Sequence, residues 1–151
     1  PAASDLGGLP YLKQVFHESM RLYPPAWGIG REPLREVELG GYRIRKRTQI
    51  YLCPWVTHRD ARFFPEPGRF LPDRWSKENG GGAERRAYFP FGGGPRNCVG
   101  AGFATMEASL VLARLLQRFC FRPVPGHPVD VQPAVTLRPR HGLRLRVGRR
   151  A

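Results

Sequence analysis

Residues 91–100 read FGGGPRNCVG and present a single cysteine, Cys98, at the end of a glycine-rich loop. The apolar pattern that begins at Ala101 predicts a long helix directly after this loop. A helix N-terminus carries free N–H groups and partial positive charge, and Arg96 adds a cation two residues before the cysteine. Both features favour the thiolate, which is the form of cysteine that binds metals and attacks electrophiles.

The residues alone allow three roles for Cys98: a metal ligand, a nucleophile or a buried apolar filler. A nucleophile needs a neighbouring base, and no motif brings any of the four histidines to Cys98. A structural zinc or iron–sulfur site needs further Cys or His at fixed spacing, which the sequence lacks. A single thiolate on a haem iron needs neither, and glycines allow close approach of a large flat ligand because they have no Cβ. The haem-thiolate interpretation therefore remains, beside the buried filler.

Four linked motifs resemble those of one family. The pattern F-x-x-G-x-R-x-C-x-G is similar to the haem-binding signature of the cytochromes P450, here with Phe91, Gly94, Arg96, Cys98 and Gly100. Further segments follow the family's order and spacing: Glu18–Arg21 as the E-x-x-R of its K helix, the H-R-D at residues 58–60 followed by Phe64-Pro65, and FLPDRW at residues 70–75 as its F-x-P-x-R-[FW] segment. The resemblance covers nearly the whole chain.

The resemblance implies an α+β fold whose parent is mainly helical. The expected order is K helix, β-hairpin, irregular meander, Cys-ligand loop, L helix and short C-terminal strands. We therefore expect residues 1–151 to form part of a P450 haem domain that lacks the family's N-terminal portion and its oxygen-handling I helix. Residues 76–86, rich in glycine and charge, are expected to be a flexible connector within it.

The apolar pattern predicts the individual elements. A helix is expected over residues 10–23, ending at Pro24-Pro25 because neither proline can continue it. Alternating residues around Gly40-Gly41 predict a hairpin, with a further strand at Ile50–Leu52. Residues 101–119 are expected to form a long buried helix, and Leu143–Val147 a strand. After Pro54 the prolines and aromatic residues allow a short helix at most, followed by a packed meander.

The resemblance also implies a cofactor and the residues around it. The cofactor is haem b, also written heme b (iron protoporphyrin IX), with Cys98 as the iron ligand and catalytic residue. The cofactor-binding residues implied are Arg31, Phe91, Gly92, Gly94, Arg96, Cys98 and Gly100, with both arginines pairing with the haem propionates. A buried structural triad is implied for Glu18, Arg21 and Arg74, while His58 has a structural role only.

The resemblance also leads to expectations for three other segments. Ala26–Ile29 and the turn around Val135–Leu137 would line the substrate pocket, although ordinary core packing explains these apolar residues as well. Arg47 occupies a turn position where the family commonly has glycine. The hairpin there is therefore expected to be strained or differently shaped.

The function implied is that of a haem-thiolate monooxygenase. The parent protein would insert one oxygen atom from O2 into an apolar small organic molecule, with electrons from a ferredoxin or a flavin reductase. The chain alone is expected to be inactive. The alternative is a truncated haem-binding remnant without monooxygenase turnover.

The composition adds one further hypothesis. The chain has 25 basic and 12 acidic residues, a formal net charge of +13, which raises the possibility of a basic module that binds nucleic acid. A solvated arginine-rich surface is favoured over it, and no nucleic-acid partner is expected; within the enzyme interpretation, the charge suits an acidic redox partner. The three cysteines show no paired spacing, which favours a reducing compartment, the cytoplasm. No apolar run reaches the length of a membrane span.

Overall fold

The computed structural model describes residues 1–76 and 86–150, so the connector predicted over residues 76–86 lies almost entirely outside the described residues. The described helices are α1 (Pro10–Leu22), α2 (Pro54–Thr57) and α3 (Ala101–Arg118), with 3₁₀ turns at Ala3–Gly8, Pro72–Trp75 and Gly94–Arg96. The described strands are β1 (Ile29–Arg31), β2 (Val37–Leu39), β3 (Tyr42–Ile44), β4 (Ile50–Leu52), β5 (Phe119–Pro123), β6 (Val131–Pro133), β7 (Leu137–Pro139) and β8 (Leu145–Arg149). The predicted mixture of helices and short strands is confirmed.

Helix α1 begins and ends where the prolines predict. Pro10 occupies the first helical position, where its missing N–H has no partner to lose. The helix stops at Leu22, before the Pro24-Pro25 pair, and Tyr23 caps it by donating its N–H to the Ser19 carbonyl at 2.8 Å. One face of α1 is buried and carries both apolar and charged side chains.

The strands form four separate antiparallel ribbons of two strands each, β1–β4, β2–β3, β5–β8 and β6–β7. The predicted hairpin is β2–β3, and its turn residues Gly40 and Gly41 have φ of +59° and +82°, as a tight hairpin turn requires. The strand at Ile50–Leu52 is present, but its partner is Ile29–Arg31. A three-residue strand is too short to show periodicity, so this pairing was not foreseen.

The C-terminal ribbon also differs in detail from the prediction. The strand expected at Leu143–Val147 lies two residues later, at Leu145–Arg149, and pairs with Phe119–Pro123. Arg144 belongs to the connection before it, where its carbonyl accepts the Val124 N–H at 3.3 Å. The alternation of apolar and basic residues continues across this boundary and therefore does not mark it.

The long helix after the cysteine is present as α3, but the prediction that it is buried is wrong. Phe103 is 64% exposed and Met106 39%, and the buried residues of α3 are Ser109 and Ala113. Helix α3 packs against α1 and the N-terminal 3₁₀ turn, and much of its apolar face stays uncovered. Helical periodicity shows which side chains share a face and does not show what covers it. Within the described ranges, no helix is long and apolar enough to cross a bilayer.

The buried core is small for the mass of the chain. Its apolar members are Phe16 and Leu22 of α1, Phe64 of the meander, Ala87 before the cysteine loop and Ala113 of α3. The accessible surface is 11143 Å², compared with about 7,800 Å² for a compact monomer of 17.1 kDa. Phe64, which is fully buried, is the member of this core that belongs to the meander.

The turn at Arg47 has a left-handed backbone conformation, as expected at a position where the family commonly has glycine. Arg47 has φ of +65°, in the left-handed region that a side chain disfavours. Its N–H donates to the Pro33 carbonyl at 3.0 Å, which holds the turn against the preceding segment. The expected strain is therefore located at the Arg47 backbone.

Replacing Arg47 with glycine is expected to raise the free energy of unfolding by about 0.5–1 kcal/mol, because glycine adopts positive φ without a steric penalty. Chemical denaturation of the purified protein measures the change. Arg45→Gly is the matched control, since Arg45 is also exposed, begins the same turn and lies outside the positive-φ positions. There, glycine only adds flexibility to the unfolded chain, so stability should fall. Equal effects of the two substitutions would contradict the strain argument.

Candidate functional site

Backbone hydrogen bonds fold the glycine-rich segment into a closed loop. The Cys98 N–H donates to the Phe91 carbonyl at 2.9 Å, which brings the two ends of the loop together. The Gly92 N–H donates to the Phe89 carbonyl at 3.0 Å at the start of the loop. Gly92 and Gly94 have φ of +79° and +64°, a conformation that glycine adopts without strain. The chain thus reverses direction immediately before the cysteine.

Cys98 lies beside the N-terminus of α3. Gly100 is the N-cap of that helix, and the Ala101 N–H donates to the Cys98 carbonyl at 3.3 Å. The Cys98 side chain is exposed, and no described residue forms a hydrogen bond to its sulfur. A Cβ added at Gly100 would lie 3.9 Å from the sulfur, so this glycine is a direct neighbour of the thiol. The buried-filler interpretation is therefore wrong.

A cavity of about 280 Å³ adjoins the thiol and contains most of the predicted site residues. Five predicted residues line it: Arg31, Phe91, Gly92, Arg96 and Cys98. The rest of the lining is apolar: Met20, Pro25, Ala26, Ile29 and Pro90. The two other predicted residues, Gly94 and Gly100, are outside this lining and lie in the loop and at the helix N-cap. One wall comes from α1 and β1, the other from the cysteine loop.

Gly92 lies where these two walls approach each other. A Cβ at this position would be 3.8 Å from the Arg31 guanidinium and 3.9 Å from Ile29 Cδ1. A longer side chain there would extend toward the strand that carries Arg31. Together with the positive φ, this proximity explains why glycine suits position 92.

The two arginines of the cavity have no carboxylate partner among the described residues. Arg31 projects from β1, is half-buried and donates to the Gly30 carbonyl at 2.8 Å. Arg96 ends the 3₁₀ turn of the cysteine loop and is exposed. Two guanidinium groups without a described carboxylate partner, beside one thiol, form a donor set for a ligand that carries a metal and two carboxylates.

The donor set and the cavity fit a haem. The thiol is open to the cavity, and the cavity wall is largely apolar. Two arginines in the lining match the two propionates in charge and number. Within residues 1–76 and 86–150, no three His, Cys, Asp or Glu side chains gather in a way that could hold a metal ion. A multi-ligand zinc site therefore has no donors there, whereas a single thiolate to a haem iron needs no second one from this chain.

The segments predicted to line a substrate pocket lie next to each other. Ala26 and Ile29 belong to the cavity wall. The Trp27 indole donates to the Ala134 carbonyl at 2.9 Å, and the Leu137 N–H donates to the Pro25 carbonyl at 2.9 Å. These bonds hold the turn before β7 against the cavity wall, although Val135 at its tip is almost fully exposed.

Glu18 and Arg21 form a fully buried ion pair on one face of α1. Arg21 Nε donates to Glu18 Oε2 at 2.9 Å and Nη2 donates to Oε1 at 2.8 Å, which is bidentate geometry. Arg74 Nε, from the 3₁₀ turn at residues 72–75, donates to Oε1 at 3.1 Å. The three residues of the predicted triad are thus in direct contact.

Arg21 also holds the meander through three backbone carbonyls. Its Nη1 donates to the carbonyls of His58 and Pro67 at 2.7 and 2.8 Å, and Nη2 donates to that of Arg69 at 3.0 Å. With the two bonds to Glu18, all five N–H donors of the guanidinium are satisfied. A segment without regular secondary structure thereby gains partners for its buried carbonyls.

Two donors to Glu18 lie outside the predicted triad. The Trp75 indole donates to Oε2 and the Leu71 N–H to Oε1, both at 2.9 Å. Burial alone would raise the pKa of Glu18, but the hydrogen bonds from Arg21, Leu71 and Trp75 together lower it. The tryptophan that ends the FLPDRW segment was the available sequence signal for this contact. The Leu71 donor is a backbone N–H, so the residue type at that position does not predict the contact.

Comparison with known proteins gives a consistent result. The family model described as Cytochrome P450 matches residues 1–145. Cyclooctatin synthase of Streptomyces melanosporofaciens is 41% identical over 91% of this chain and 30% of its own length. Cytochrome P450 4V2 of Homo sapiens is 37% identical over 97% of this chain and 28% of its own length. The chain therefore spans about a third of the length of the curated relatives it matches.

A solved structure matches the fold as well. The cyanobacterial CYP120A1 bound to retinoic acid superposes with a TM-score of 0.89 and 32% sequence identity. The match covers 99% of this chain and 34% of that protein. The predicted α+β arrangement from the K helix to the C-terminal strands is therefore confirmed.

Replacing Glu18 with glutamine is expected to lower the free energy of unfolding by about 3–5 kcal/mol, because it leaves the buried Arg21 without a counter-charge. Denaturant titration of the purified protein measures the loss. The matched control is Glu66→Gln, which breaks another Glu–Arg pair at the same i,i+3 spacing, with Arg69, on the exposed surface. That change should cost less than about 0.5 kcal/mol. Similar losses for the two variants would rule out a central role for the buried pair.

Proposed function

The chain belongs to the cytochrome P450 family of haem monooxygenases, and we propose that it carries the thiolate side of the haem site in such an enzyme. The main support is the geometry at Cys98, where an exposed thiol, two arginines that have no carboxylate partner among the described residues and an apolar wall share one cavity. The parent protein is proposed to insert one oxygen atom from O2 into an organic substrate.

The proposed cofactor is haem b, with Cys98 as the iron ligand. When bound, the haem supplies the activation of O2 and the transfer of one oxygen atom, with the thiolate donating electron density to the iron. The N-terminus of α3 favours the anionic form of the sulfur. Arg31 and Arg96 are proposed to bind the two propionates and thereby orient the macrocycle.

The substrate is proposed to be a small, largely apolar molecule. The cavity wall next to the thiol is built from Met20, Pro25, Ala26 and Ile29, which offer no hydrogen-bonding side chain. The solved relative binds retinoic acid, whose hydrocarbon part suits such a wall. Apolar contacts of this kind hold a substrate by excluding water, so they favour hydrophobic molecules without selecting one among them.

The proposed electron donor is an acidic protein such as a ferredoxin, or a flavin reductase. A formal net charge of +13 attracts an acidic partner at long range and speeds its association. Arg96 is exposed on the cysteine loop itself, where a donor would approach the thiolate side. The bacterial relatives support a cytoplasmic location.

A second candidate function is haem binding without turnover. It is favoured by the uncovered apolar face of α3. Reconstitution of the chain with haem and a chemical reductant, followed by a search for oxygenated product, separates the candidates. Product from the full-length protein but not from the isolated chain would assign turnover to the complete enzyme.

Replacing Cys98 with alanine is expected to abolish the Soret band that a thiolate-ligated ferrous haem shows with carbon monoxide. The difference spectrum of the haem-loaded protein measures this band. Cys120→Ala is the matched control, because Cys120 is also an exposed free thiol but lies on β5, away from the cavity. The control should keep the full band. A band that survives Cys98→Ala would remove Cys98 from the role of ligand.

A further inference from the structure

His58 is a fully buried histidine at the end of α2, directly after Thr57. Its ring packs against three aromatic rings, with centroid distances of 5.2 Å to Tyr88, 5.3 Å to Phe89 and 6.2 Å to Phe64. Phe64 lies in the meander, and Tyr88 and Phe89 lead into the cysteine loop. His58 therefore lies between the two irregular segments that flank the candidate site.

The two polar ends of His58 link α1 to the start of the cysteine loop. Its carbonyl accepts the Arg21 Nη1 donor at 2.7 Å, and its Nε2 accepts the Phe89 N–H at 3.0 Å. Accepting a backbone N–H requires an unprotonated Nε2, so the proton of the neutral ring is on Nδ1. The Nδ1 atom is buried and has no hydrogen-bond partner among the described residues.

The Phe89 amide is the first link of a short path to the thiol. The Phe89 carbonyl accepts the Gly92 N–H at 3.0 Å, and the Phe91 carbonyl accepts the Cys98 N–H at 2.9 Å. The Phe89 N–H points back to the ring of His58. Three hydrogen bonds in sequence thus join His58 to the backbone of Cys98.

We propose that neutral His58 is a positioning residue for Cys98: its Nε2 anchors the start of the cysteine loop, and protonation of the ring releases that anchor. The inference rests on the proposed role of Cys98 as a haem ligand and adds a residue that acts on it through the loop. A protonated ring has no acceptor at Nε2, so the Phe89 N–H would lose its partner and two N–H donors would face each other.

The charges around His58 define the pH at which this release occurs. Burial lowers the pKa of His58 to about 4; a backbone hydrogen bond with Arg21 acts to raise it, and repulsion by the Arg21 and Arg59 charges acts to lower it. Burial also raises the pKa of Tyr88, so its phenol stays neutral over the same range. Since the unfolded imidazole has a pKa of about 6.5, the stabilising effect is complete above that pH. It is lost as the pH falls from about 6.5 through 4.

Two substitutions separate the acceptor from the aromatic packing. His58→Gln places an amide oxygen near the position of Nε2 and does not titrate. His58→Phe keeps an aromatic ring and removes the acceptor. His141→Gln is the control, because His141 is an exposed histidine beside Asp130, outside the path to Cys98. All are made in the haem-loaded, full-length protein.

The first readout is the acid titration of the carbon monoxide band that reports thiolate ligation. Wild type and the His141→Gln control should lose this band with the same midpoint, near the folded-state His58 pKa of about 4. His58→Gln should shift the midpoint at least about half a unit lower, because its amide keeps accepting the Phe89 N–H as the pH falls. His58→Phe should show a reduced band already at neutral pH.

The second readout is hydrogen exchange of the Phe89 amide at neutral pH, which does not depend on bound haem. Exchange should be about tenfold faster in His58→Phe and within about threefold of wild type in His58→Gln. Identical acid midpoints for wild type and His58→Gln, or unchanged exchange in His58→Phe, would overturn the proposal. If His58→Phe does not fold, the midpoint of His58→Gln decides. A wild type without any thiolate band would instead refute the proposed function. The exchange rates would still test whether His58 anchors the Phe89 amide.

Discussion

The buried pair of Glu18 and Arg21 is the interaction on which the rest of the structure depends. A carboxylate and a guanidinium removed from water are costly unless every donor and acceptor is paired, and here the five N–H donors of Arg21 all have partners. Three of those partners are carbonyls, one at the end of α2 and two in the meander, that no helix or strand would otherwise satisfy. Because the apolar core is small, this polar network defines where residues 58–69 lie against α1. In a larger domain, apolar side-chain packing would hold such a segment in place; here the polar network holds it.

The same network reaches the candidate site through backbone atoms. Arg21 holds the His58 carbonyl, and the His58 ring holds the amide of Phe89 at the start of the cysteine loop. On the other side, α1 leads through the Pro24-Pro25 turn to β1, which carries Arg31 into the cavity. Both walls of the cavity are therefore held in position relative to α1. A thiol on a flexible glycine loop gains a defined position because the residues before and after the loop are held.

Sequence patterns predicted those features that depend on residue type at short spacing. Pro10 and Pro24 mark the limits of α1, Gly40-Gly41 marks the hairpin, and the E-x-x-R spacing places Glu18 and Arg21 on one helix face. Features that depend on distant backbone atoms were not predictable in this way. Residue types reveal neither that β1 pairs with β4 nor which carbonyls Arg21 binds. The exposure of α3 was mispredicted for a related reason, since an apolar face does not identify what covers it.

The composition of the cavity limits what this chain can contribute to catalysis. Oxygen activation at a haem consumes protons, and a group that delivers them must reach the side of the cofactor where oxygen binds. The described lining contains a thiol, two guanidinium groups and apolar side chains, without a carboxylate or a hydroxyl. Guanidinium groups are poor proton donors because they stay protonated at any pH at which the protein is folded. Under the proposed function, these residues would supply the iron ligand and orient the cofactor, while a proton donor is not among the described lining of this cavity.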